Sequence, residues 1–223
     1  MPKKVFLGVG HGGSDPGAVA NGFKEKDLNL TIALSCRDVL ERHGVNVLMS
    51  RTKDENDDLT EEIRECNAYN PDLAVDIHNN AGGGDGAEAF YYSGGGKSKE
   101  LAQNILARII IAGQNSRGIK TKLNSYGTDY YGFIRETKAP AVIVECAFVD
   151  NKKDMEIIDT ADEQKAMGVE IARGILLTLG IDYVEEPKTW YKVQVGAFRN
   201  KANAENLLAE LKSKGYNGFI VEV

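Results

Sequence analysis

The chain alternates short apolar runs with longer stretches in which apolar residues recur every three or four positions. Short apolar runs predict β-strands, and the periodic stretches predict amphipathic helices. The predicted strands cover residues 5–9, 45–49, 73–77, 87–92 and 141–144. Because strands and helices alternate, we predict an α/β fold with a mostly parallel, twisted sheet that has helices on both faces.

Capping residues indicate where the predicted helices begin and end. Ser and Thr are favoured N-caps, and glycine is favoured just after a helix. The first predicted helix covers residues 27–43 and stops at Gly44. The other three have Thr60, Ser98 and Thr160 as N-caps and end at Tyr69, Ala112 and Gly180.

The composition changes after Gly180. Residues 181–189 contain two glutamates and Pro187, which indicates a linker. Residues 190–223 then follow a strand, helix and strand pattern, with the helix predicted over residues 202–214. We therefore predict a main domain over residues 1–180, a linker over 181–189 and a small β-α-β unit over 190–223. Units below about 40 residues rarely fold without a staple or a partner.

Charge and cysteine content narrow the class of protein. The formal charge is −6, from 27 basic and 33 acidic residues, so no nucleic-acid partner is expected. The tail from residue 190 onward has five basic and three acidic residues, a net charge of +2. Three cysteines, Cys36, Cys66 and Cys146, are too few and too widely spaced for a disulfide scaffold, and we expect reduced, structural thiols.

The first apolar run, residues 5–10, is too short for a signal peptide and leads directly into a polar, glycine-rich turn. No apolar run approaches the length that spans a membrane. We therefore expect synthesis in the cytoplasm without a signal peptide, and no membrane insertion.

Two of the three histidines follow predicted strands. His11 comes after the first strand, His78 after the third, and Glu145 ends the most apolar run. In open α/β sheets the carboxyl ends of strands form the ligand crevice. Glu25 lies near the start of the first helix and completes the group. Two imidazoles and one carboxylate are a recurrent catalytic zinc set, and the remaining glutamate would be free for proton transfer.

Other interpretations of these residues carry less support. The turn over residues 10–17 lacks the Gly-Lys-Ser/Thr ending of a phosphate-binding loop. His43, at a helix end, is expected to be structural. The acidic run over residues 54–58 is interpreted as solvated surface, with a calcium site as the alternative. Cys146 is adjacent to Glu145 on a strand, so the two side chains are expected on opposite faces.

Five segments of the chain resemble the bacterial and phage N-acetylmuramoyl-L-alanine amidases of the third amidase family, over roughly residues 4–180. They are residues 8–18, 25–30, 50–52, 76–80 and 144–151. The resemblance implies that His11, Glu25 and His78 bind one Zn²⁺ and that Glu145 is catalytic. The implied reaction is hydrolysis of the amide bond between N-acetylmuramic acid and L-alanine in peptidoglycan. The segment 133–135 resembles one near the family's substrate site, which makes Arg135 and Asn80 substrate-binding candidates.

The chain departs from the family pattern at two positions. Asp76 stands where a small Ser is usual, and Ala147 stands where Gly is usual. Neither departure removes an implied ligand. No long helical insertion of the kind that blocks some family members occurs between the motifs, so we expect an open site.

The tail resembles one unit of the SPOR peptidoglycan-binding repeat, of which that family usually carries two. The resemblance implies peptidoglycan as a partner. Among the tail aromatics, Trp190, Tyr191 and Phe198 are wall-binding candidates by stacking on sugar rings. The alternative, which we favour for some of Trp190, Tyr191, Phe198 and Phe219, is a place in a small core with Val193 and Val195. Because only one unit is present, pairing of two chains as a homodimer is a further expectation.

The expected enzyme is therefore a zinc-dependent, wall-lytic amidase, an endolysin or autolysin that acts on the wall after release. Two other functions remain possible from the sequence. One is a wall-binding module with a degenerate catalytic site, and the other is a zinc peptidase that cuts the stem peptide itself.

Overall fold

The structure is a computed structural model that describes residues 2–185 and 193–222. The wall-binding candidates Trp190 and Tyr191 lie outside the described residues. The chain divides into two compact units, Met1–Val184 and Glu185–Val223. Within the described ranges, no helix has the length and apolar character needed to cross a lipid bilayer.

The first unit contains a six-stranded sheet in the order β4-β1-β5-β8-β6-β7. Its strands, with a separate two-stranded hairpin formed by β2 and β3, are β1 (Lys4–Val9), β2 (Val19–Ala20), β3 (Phe23–Lys24), β4 (Asn46–Met49), β5 (Leu73–Asn80), β6 (Ala87–Tyr91), β7 (Ser116–Lys120) and β8 (Ala141–Phe148). The pairs β1–β4, β1–β5, β5–β8 and β6–β7 are parallel, and β6–β8 is antiparallel. The predicted, mostly parallel sheet is confirmed.

Six helices belong to the first unit: α1 (Glu25–Arg42), α2 (Leu59–Tyr69), α3 (Lys97–Ile111), α4 (Gly132–Glu136), α5 (Lys152–Met155) and α6 (Ala161–Leu179). The larger core lies between one face of the sheet and α1, α3 and α6, whose residues Ile32, Ile105 and Ile171 are fully buried. A smaller core on the opposite face joins Phe6 of β1 to Cys66 of α2 and Phe133 of α4. Helices therefore cover both faces, as predicted.

The two cores follow from alternation along the strands. In β1, Val5 and Leu7 belong to the larger core, and Phe6 between them belongs to the smaller one. The ring centroids of Phe6 and Phe133 are 6.3 Å apart. Removal of a fully buried ring such as Phe6 typically costs about 3–5 kcal/mol of stability, so this small core contributes substantially to holding α4 on the sheet.

Helix α6, the last of the first unit, begins and ends where the sequence predicts. Thr160 and Glu163 form a capping box at the start of α6, and Gly180 ends it in the left-handed region at φ 71°. The predicted caps of two other helices are wrong. Asp58, not Thr60, caps α2 by accepting hydrogen bonds from the backbone of residues 60 and 61. Helix α3 begins after Gly96 without a side-chain cap, because the Ser98 hydroxyl donates to the Gly95 carbonyl instead.

In the second unit only the helix is formed as predicted. Helix α7 (Lys201–Ser213) is capped by Asn200 and has no buried residue. The described parts of both predicted flanking strands, residues 193–195 and 219–222, have no strand structure, so the β-α-β prediction is wrong there. A strand needs a backbone partner and a buried face to offset its loss of conformational entropy, and Val193 and Phe219 are 86% and 78% exposed.

Candidate metal centre

The candidate centre lies at the carboxyl edge of the sheet. Strands β5 and β8 run to Asn80 and Phe148, further than predicted, so His78 and Glu145 lie within strands rather than at strand ends. The two residues are directly paired across the parallel β5–β8 ladder. Their side chains therefore stand next to each other on one face of the sheet.

Glu25, the first residue of α1, lies between two imidazoles. Its Oε2 is 3.1 Å from His11 Nε2, and its Oε1 is 3.0 Å from His78 Nδ1. One ligand atom from each of the three residues lies within 4.8 Å of the other two. The imidazole rings meet edge-on, with centroids 5.1 Å apart. The three groups predicted as metal ligands thus converge on one small volume.

Glycines make this convergence possible. A Cβ on Gly10 would lie 2.1 Å from Cε1 of the His78 ring, and one on Gly17 would lie 2.6 Å from Oε2 of Glu25. His11 itself has φ 63°, a left-handed conformation that is uncommon for a residue with a side chain. Such strain is typical of functional sites, where the surrounding structure maintains it.

Arg51 provides part of that surrounding structure. Its side chain is among the largest that are fully buried, and it donates to four main-chain carbonyls, including that of Lys53 from Nη1 at 3.2 Å. Nε bonds Val9 at 3.0 Å, while Nη2 bonds Gly10 at 3.3 Å and Lys26 at 2.8 Å. A buried guanidinium is tolerated when its donors are satisfied in this way. Arg51 therefore ties the start of the glycine-rich turn to the start of α1.

In both His11 and His78, the ring nitrogen that does not face Glu25 lies close to another carboxylate. Asp15 Oδ2 is 2.8 Å from His11 Nδ1, and Asp76 Oδ2 is 3.2 Å from His78 Nε2. These bonds orient the rings so that His11 presents Nε2 and His78 presents Nδ1 to the shared volume. From the sequence, Asp76 was identified only as a departure from the family pattern, and Asp15 was not identified. Two spacings in the sequence could have indicated these pairs. Asp15 is four residues after His11, and Asp76 is two residues before His78 on the same strand.

The charges of the group favour a cation between the imidazoles. Burial alone would raise the pKa of Glu25, but hydrogen bonds from His11 and His78 lower it well below the usual range. The bond to Glu25 raises the pKa of His11 against the effect of burial. Burial would lower the pKa of His78, but the charge of Asp76 and bonds to Asp76 and Glu25 raise it well above normal. These shifts favour positive charge between Glu25 and the two imidazoles, which is where a metal cation would also be stabilised.

Glu145 lies beside this group and is not one of the three converging residues. Its Oε2 is buried and has no hydrogen-bond partner among the described residues. Burial raises the pKa of Glu145 to about 7, although the neighbouring His78 opposes the shift. A carboxylate with a pKa near neutrality and an unused oxygen is suited to accept and return a proton. Cys146 lies in the larger core on the other face, as alternation predicts.

A charged group on the other side of Glu145 was not predicted from the sequence. Glu88 of β6 is the antiparallel partner of Glu145 and is 5% exposed. It accepts hydrogen bonds from Arg117 Nε at 2.8 Å and from Lys120 Nζ, while Asn80 Nδ2 donates to it at 3.1 Å. Asn80, a predicted substrate-binding residue, is thus brought close to Glu145. The missed strand β7, which carries Arg117 and Lys120, explains why the group was not anticipated.

For Arg135 and Phe198 the structure gives the local surroundings. The Arg135 guanidinium donates to the carbonyls of Asp129 and Tyr130 and to the Glu136 carboxylate, so it supports the loop before α4. None of these three partners is a histidine or glutamate of the candidate centre. Phe198 is 47% exposed in the second unit.

The residues interpreted as structural have structural contacts. All three cysteines are buried free thiols, and burial raises the pKa of each. His43 Nδ1 is 2.7 Å from the Val39 carbonyl, and its Nε2 accepts from the Val184 backbone. In the acidic run, Asp54 binds Lys26 Nζ at 2.7 Å and accepts from the Gly13 backbone. The acidic run therefore supports the glycine-rich turn.

Two known protein families match the chain, one along most of its length and one at its C-terminal end. The family described as N-acetylmuramoyl-L-alanine amidase matches residues 5–176, and the family described as SPOR domain matches residues 170–222. N-acetylmuramoyl-L-alanine amidase CwlM of Bacillus licheniformis is 36% identical over 98% of this chain and 84% of its own length. The sporulation-specific N-acetylmuramoyl-L-alanine amidase of Bacillus subtilis (strain 168) is 33% identical over the same shares.

Among solved structures, Cwp6 from Clostridium difficile has a similar fold, with a TM-score of 0.79 and 40% sequence identity. The similarity covers 80% of this chain and 30% of that longer chain. The sheet and helices of the first unit are therefore an arrangement found in an experimentally determined relative.

Proposed function

We propose, from the premise that the chain belongs to the N-acetylmuramoyl-L-alanine amidase family, that its catalytic centre consists of His11, Glu25, His78 and Glu145. The chain hydrolyses the amide bond between N-acetylmuramoyl residues and L-alanine in bacterial peptidoglycan, and it acts on the cell wall. The observation that carries the assignment is the convergence of three ligand atoms within 4.8 Å, beside a Glu145 oxygen that has no hydrogen-bond partner in the described part of the chain.

Zn²⁺ fits this donor set. Two neutral imidazoles and one carboxylate are typical catalytic zinc ligands, and the carboxylates of Asp15 and Asp76 orient the two rings. His11 Nε2, a Glu25 oxygen and His78 Nδ1 are the proposed ligand atoms. When bound, zinc supplies Lewis-acid chemistry at the scissile carbonyl and makes a water molecule more acidic. One zinc per catalytic domain is expected.

Glu145 is the proposed proton carrier. Its unpartnered Oε2 accepts a proton from the attacking water and then returns it to the leaving nitrogen of L-alanine. Both transfers need a group whose two protonation states are accessible near neutral pH, and a pKa of about 7 for the Glu145 carboxyl meets that requirement. The raised pKa comes mainly from burial, so water exclusion around Glu145 is part of the proposal.

We test the centre by digestion of purified peptidoglycan with the full-length protein. The amidase releases stem peptides that begin with free L-alanine, and mass spectrometry of the fragments identifies them. A chelator should abolish the release, and added zinc should restore it. Glu145→Gln should retain zinc and lose the release. Fragments cut within the stem peptide would instead indicate a peptidase, and sedimentation with the wall without new amino termini would indicate a binding module.

We further propose a division of labour along the chain, with catalysis in residues 1–180, a linker over 181–189 and wall binding by residues 190–223. The SPOR match supports a peptidoglycan-binding role for the tail, with Trp190, Tyr191 and Phe198 as the proposed contacts. Homodimerisation through the tail is also proposed. Its support is that α7 buries no residue and that Val193, Phe198 and Phe219 are exposed.

A further inference from the structure

Two cationic side chains are bonded to Glu88, the strand partner of the catalytic glutamate. Glu88 and Glu145 are paired in the antiparallel β6–β8 ladder, and the Cβ atoms of such partners are about 4.5–5.5 Å apart. Glu88 Oε2 in turn accepts from Arg117 Nε at 2.8 Å and from Lys120 Nζ. Glu88 therefore anchors two positive charges beside the reacting centre, on the side away from His78.

The Arg117 guanidinium is held by one hydrogen bond, and its remaining donors are available to a ligand. Besides the Nε bond to Glu88, its guanidinium carbon lies 4.9 Å from the centre of the Phe148 ring. Its two Nη groups have no hydrogen-bond partner within residues 2–185 and 193–222, and the side chain is 36% exposed. The free Nη edge of a guanidinium matches the two oxygens of a carboxylate.

The net charge of Glu88, Arg117 and Lys120 together favours the binding of an anion. Glu88 carries one negative charge and is bonded to two cations, so the group has a net charge of +1. Lys120 is 35% exposed and can turn part of its ammonium toward a ligand. Asn80 bonds the other Glu88 oxygen at 3.1 Å, which keeps that carboxylate from swinging toward Arg117's free edge.

The substrate has a carboxyl group at a suitable distance. Peptidoglycan stem peptides continue from L-alanine into a D-glutamyl residue whose α-carboxyl group is either free or amidated. That residue begins one residue away from the scissile nitrogen, a distance of about 3.3–3.6 Å along an extended chain. Glu88, which holds Arg117 and Lys120, is one strand away from Glu145, a separation of the same order.

We propose that Arg117, assisted by Lys120 and positioned by Glu88, binds the free α-carboxylate of the second stem-peptide residue and makes the enzyme prefer walls in which that group is not amidated. The proposal rests on the catalytic assignment of the preceding section. It concerns the choice among peptidoglycan substrates, because both forms contain the same scissile bond.

The test compares two synthetic muramoyl peptides that differ only in a free or an amidated α-carboxyl group at the second residue. The zinc-loaded full-length protein should cleave the free-carboxylate substrate with a kcat/KM about tenfold higher or more, mainly through a lower KM, since charge-assisted hydrogen bonds are among the stronger ones. Arg117→Gln should bring the ratio of the two kcat/KM values close to one. Arg117→Lys should retain part of the preference, because the charge remains while the fork is lost.

Lys122→Gln is the matched control, because Lys122 lies over the Tyr130 ring and not at Glu88. This variant should keep the wild-type ratio. Equal rates on the two substrates for the wild type, or an equal loss on both for Arg117→Gln at unchanged thermal stability, would overturn the proposal. Failure to cleave either substrate would count against the catalytic assignment instead, so the two failures can be told apart.

Discussion

His78 and Glu145 are paired residues on the neighbouring parallel strands β5 and β8, so a proposed metal ligand and the proposed proton carrier stand side by side. The pairing is set by backbone hydrogen bonds in the centre of the sheet, where both strands have neighbours on each side. A rigid sheet thus determines the separation of the two groups, which is a condition for precise proton transfer.

Replacement of Gly10 should remove the metal without unfolding the protein. An alanine Cβ at position 10 would lie 2.1 Å from the His78 ring, so His78 would have to move away from Glu25. We expect Gly10→Ala to lose stoichiometric zinc after dialysis, measured by atomic emission, and to lose wall hydrolysis with it. Gly132→Ala is the control, because its new Cβ would come no closer than 3.2 Å to any neighbour, and that neighbour is the end of the Leu59 side chain. Full zinc content in Gly10→Ala would contradict the site.

Asp76 should tune the affinity for zinc through His78. Its carboxylate lies 3.2 Å from His78 Nε2 and orients the ring that would donate Nδ1 to the metal. Loss of such an outer partner typically costs about 10–100-fold in metal affinity. We expect a decrease in this range for Asp76→Asn in competition with a chromogenic chelator. Asp72→Asn, at a surface carboxylate bound to Lys3, should leave the affinity unchanged.

Glu145 should destabilise the metal-free protein in a pH-dependent way. Burial raises the pKa of its carboxyl to about 7 in the folded protein, from an ordinary value of 4.5. The folded state therefore resists ionisation that the unfolded chain accepts, and the penalty grows as the pH rises from 4.5 to about 7. In the presence of a chelator, Glu145→Gln should melt at a higher temperature than the wild type at pH 8, and the difference should vanish near pH 4. Glu100→Gln, at an exposed carboxylate on α3, serves as the control.

The two candidate caps of α2 provide a local test of stability. Asp58 accepts from the backbone of residues 60 and 61, so Asp58→Ala should cost about 1 kcal/mol. For a chain of this size the melting temperature should fall by about 2–4 °C. Thr60→Ala should be close to neutral, because Thr60 is inside the helix. A larger loss for Thr60→Ala than for Asp58→Ala would contradict the observed cap.

The sequence predicted the parts of this molecule that depend on local pattern. Apolar runs gave the central strands, and Thr160 and Gly180 gave the ends of α6. It did not predict β7, because the sequence Ser-Arg-Gly-Ile-Lys has too few apolar residues and pairs only at the edge of the sheet. The Glu88 group was missed for the same reason, since its cations reach Glu88 only through the β6–β7 pairing.

The convergence of His11, Glu25 and His78 was predicted partly from strand ends and partly from family resemblance. Strand ends alone place residues at one edge of a sheet but give no distances. The roles of Asp15 and Asp76 depend on ring orientation, which a linear pattern does not contain. Short-range signals therefore identified the ligand candidates, while the contacts that orient them required the folded chain.

The tail should pair two chains. Helix α7 buries no residue, and apolar side chains on both sides of it, Val193, Phe198 and Phe219, are exposed to solvent. Pairing of two such units would bury apolar surface and give the flanking segments backbone partners, which a single unit of this size lacks.

We expect the full chain to sediment as a dimer at micromolar concentration. A chain truncated after Val184 should sediment as a monomer that still cleaves soluble muramoyl peptides. Phe219→Asp should shift the full chain toward the monomer, whereas Tyr126→Asp, on an exposed loop of the first unit, should not. A full chain that stays monomeric while its tail amides are protected from hydrogen exchange would show that the single unit folds alone.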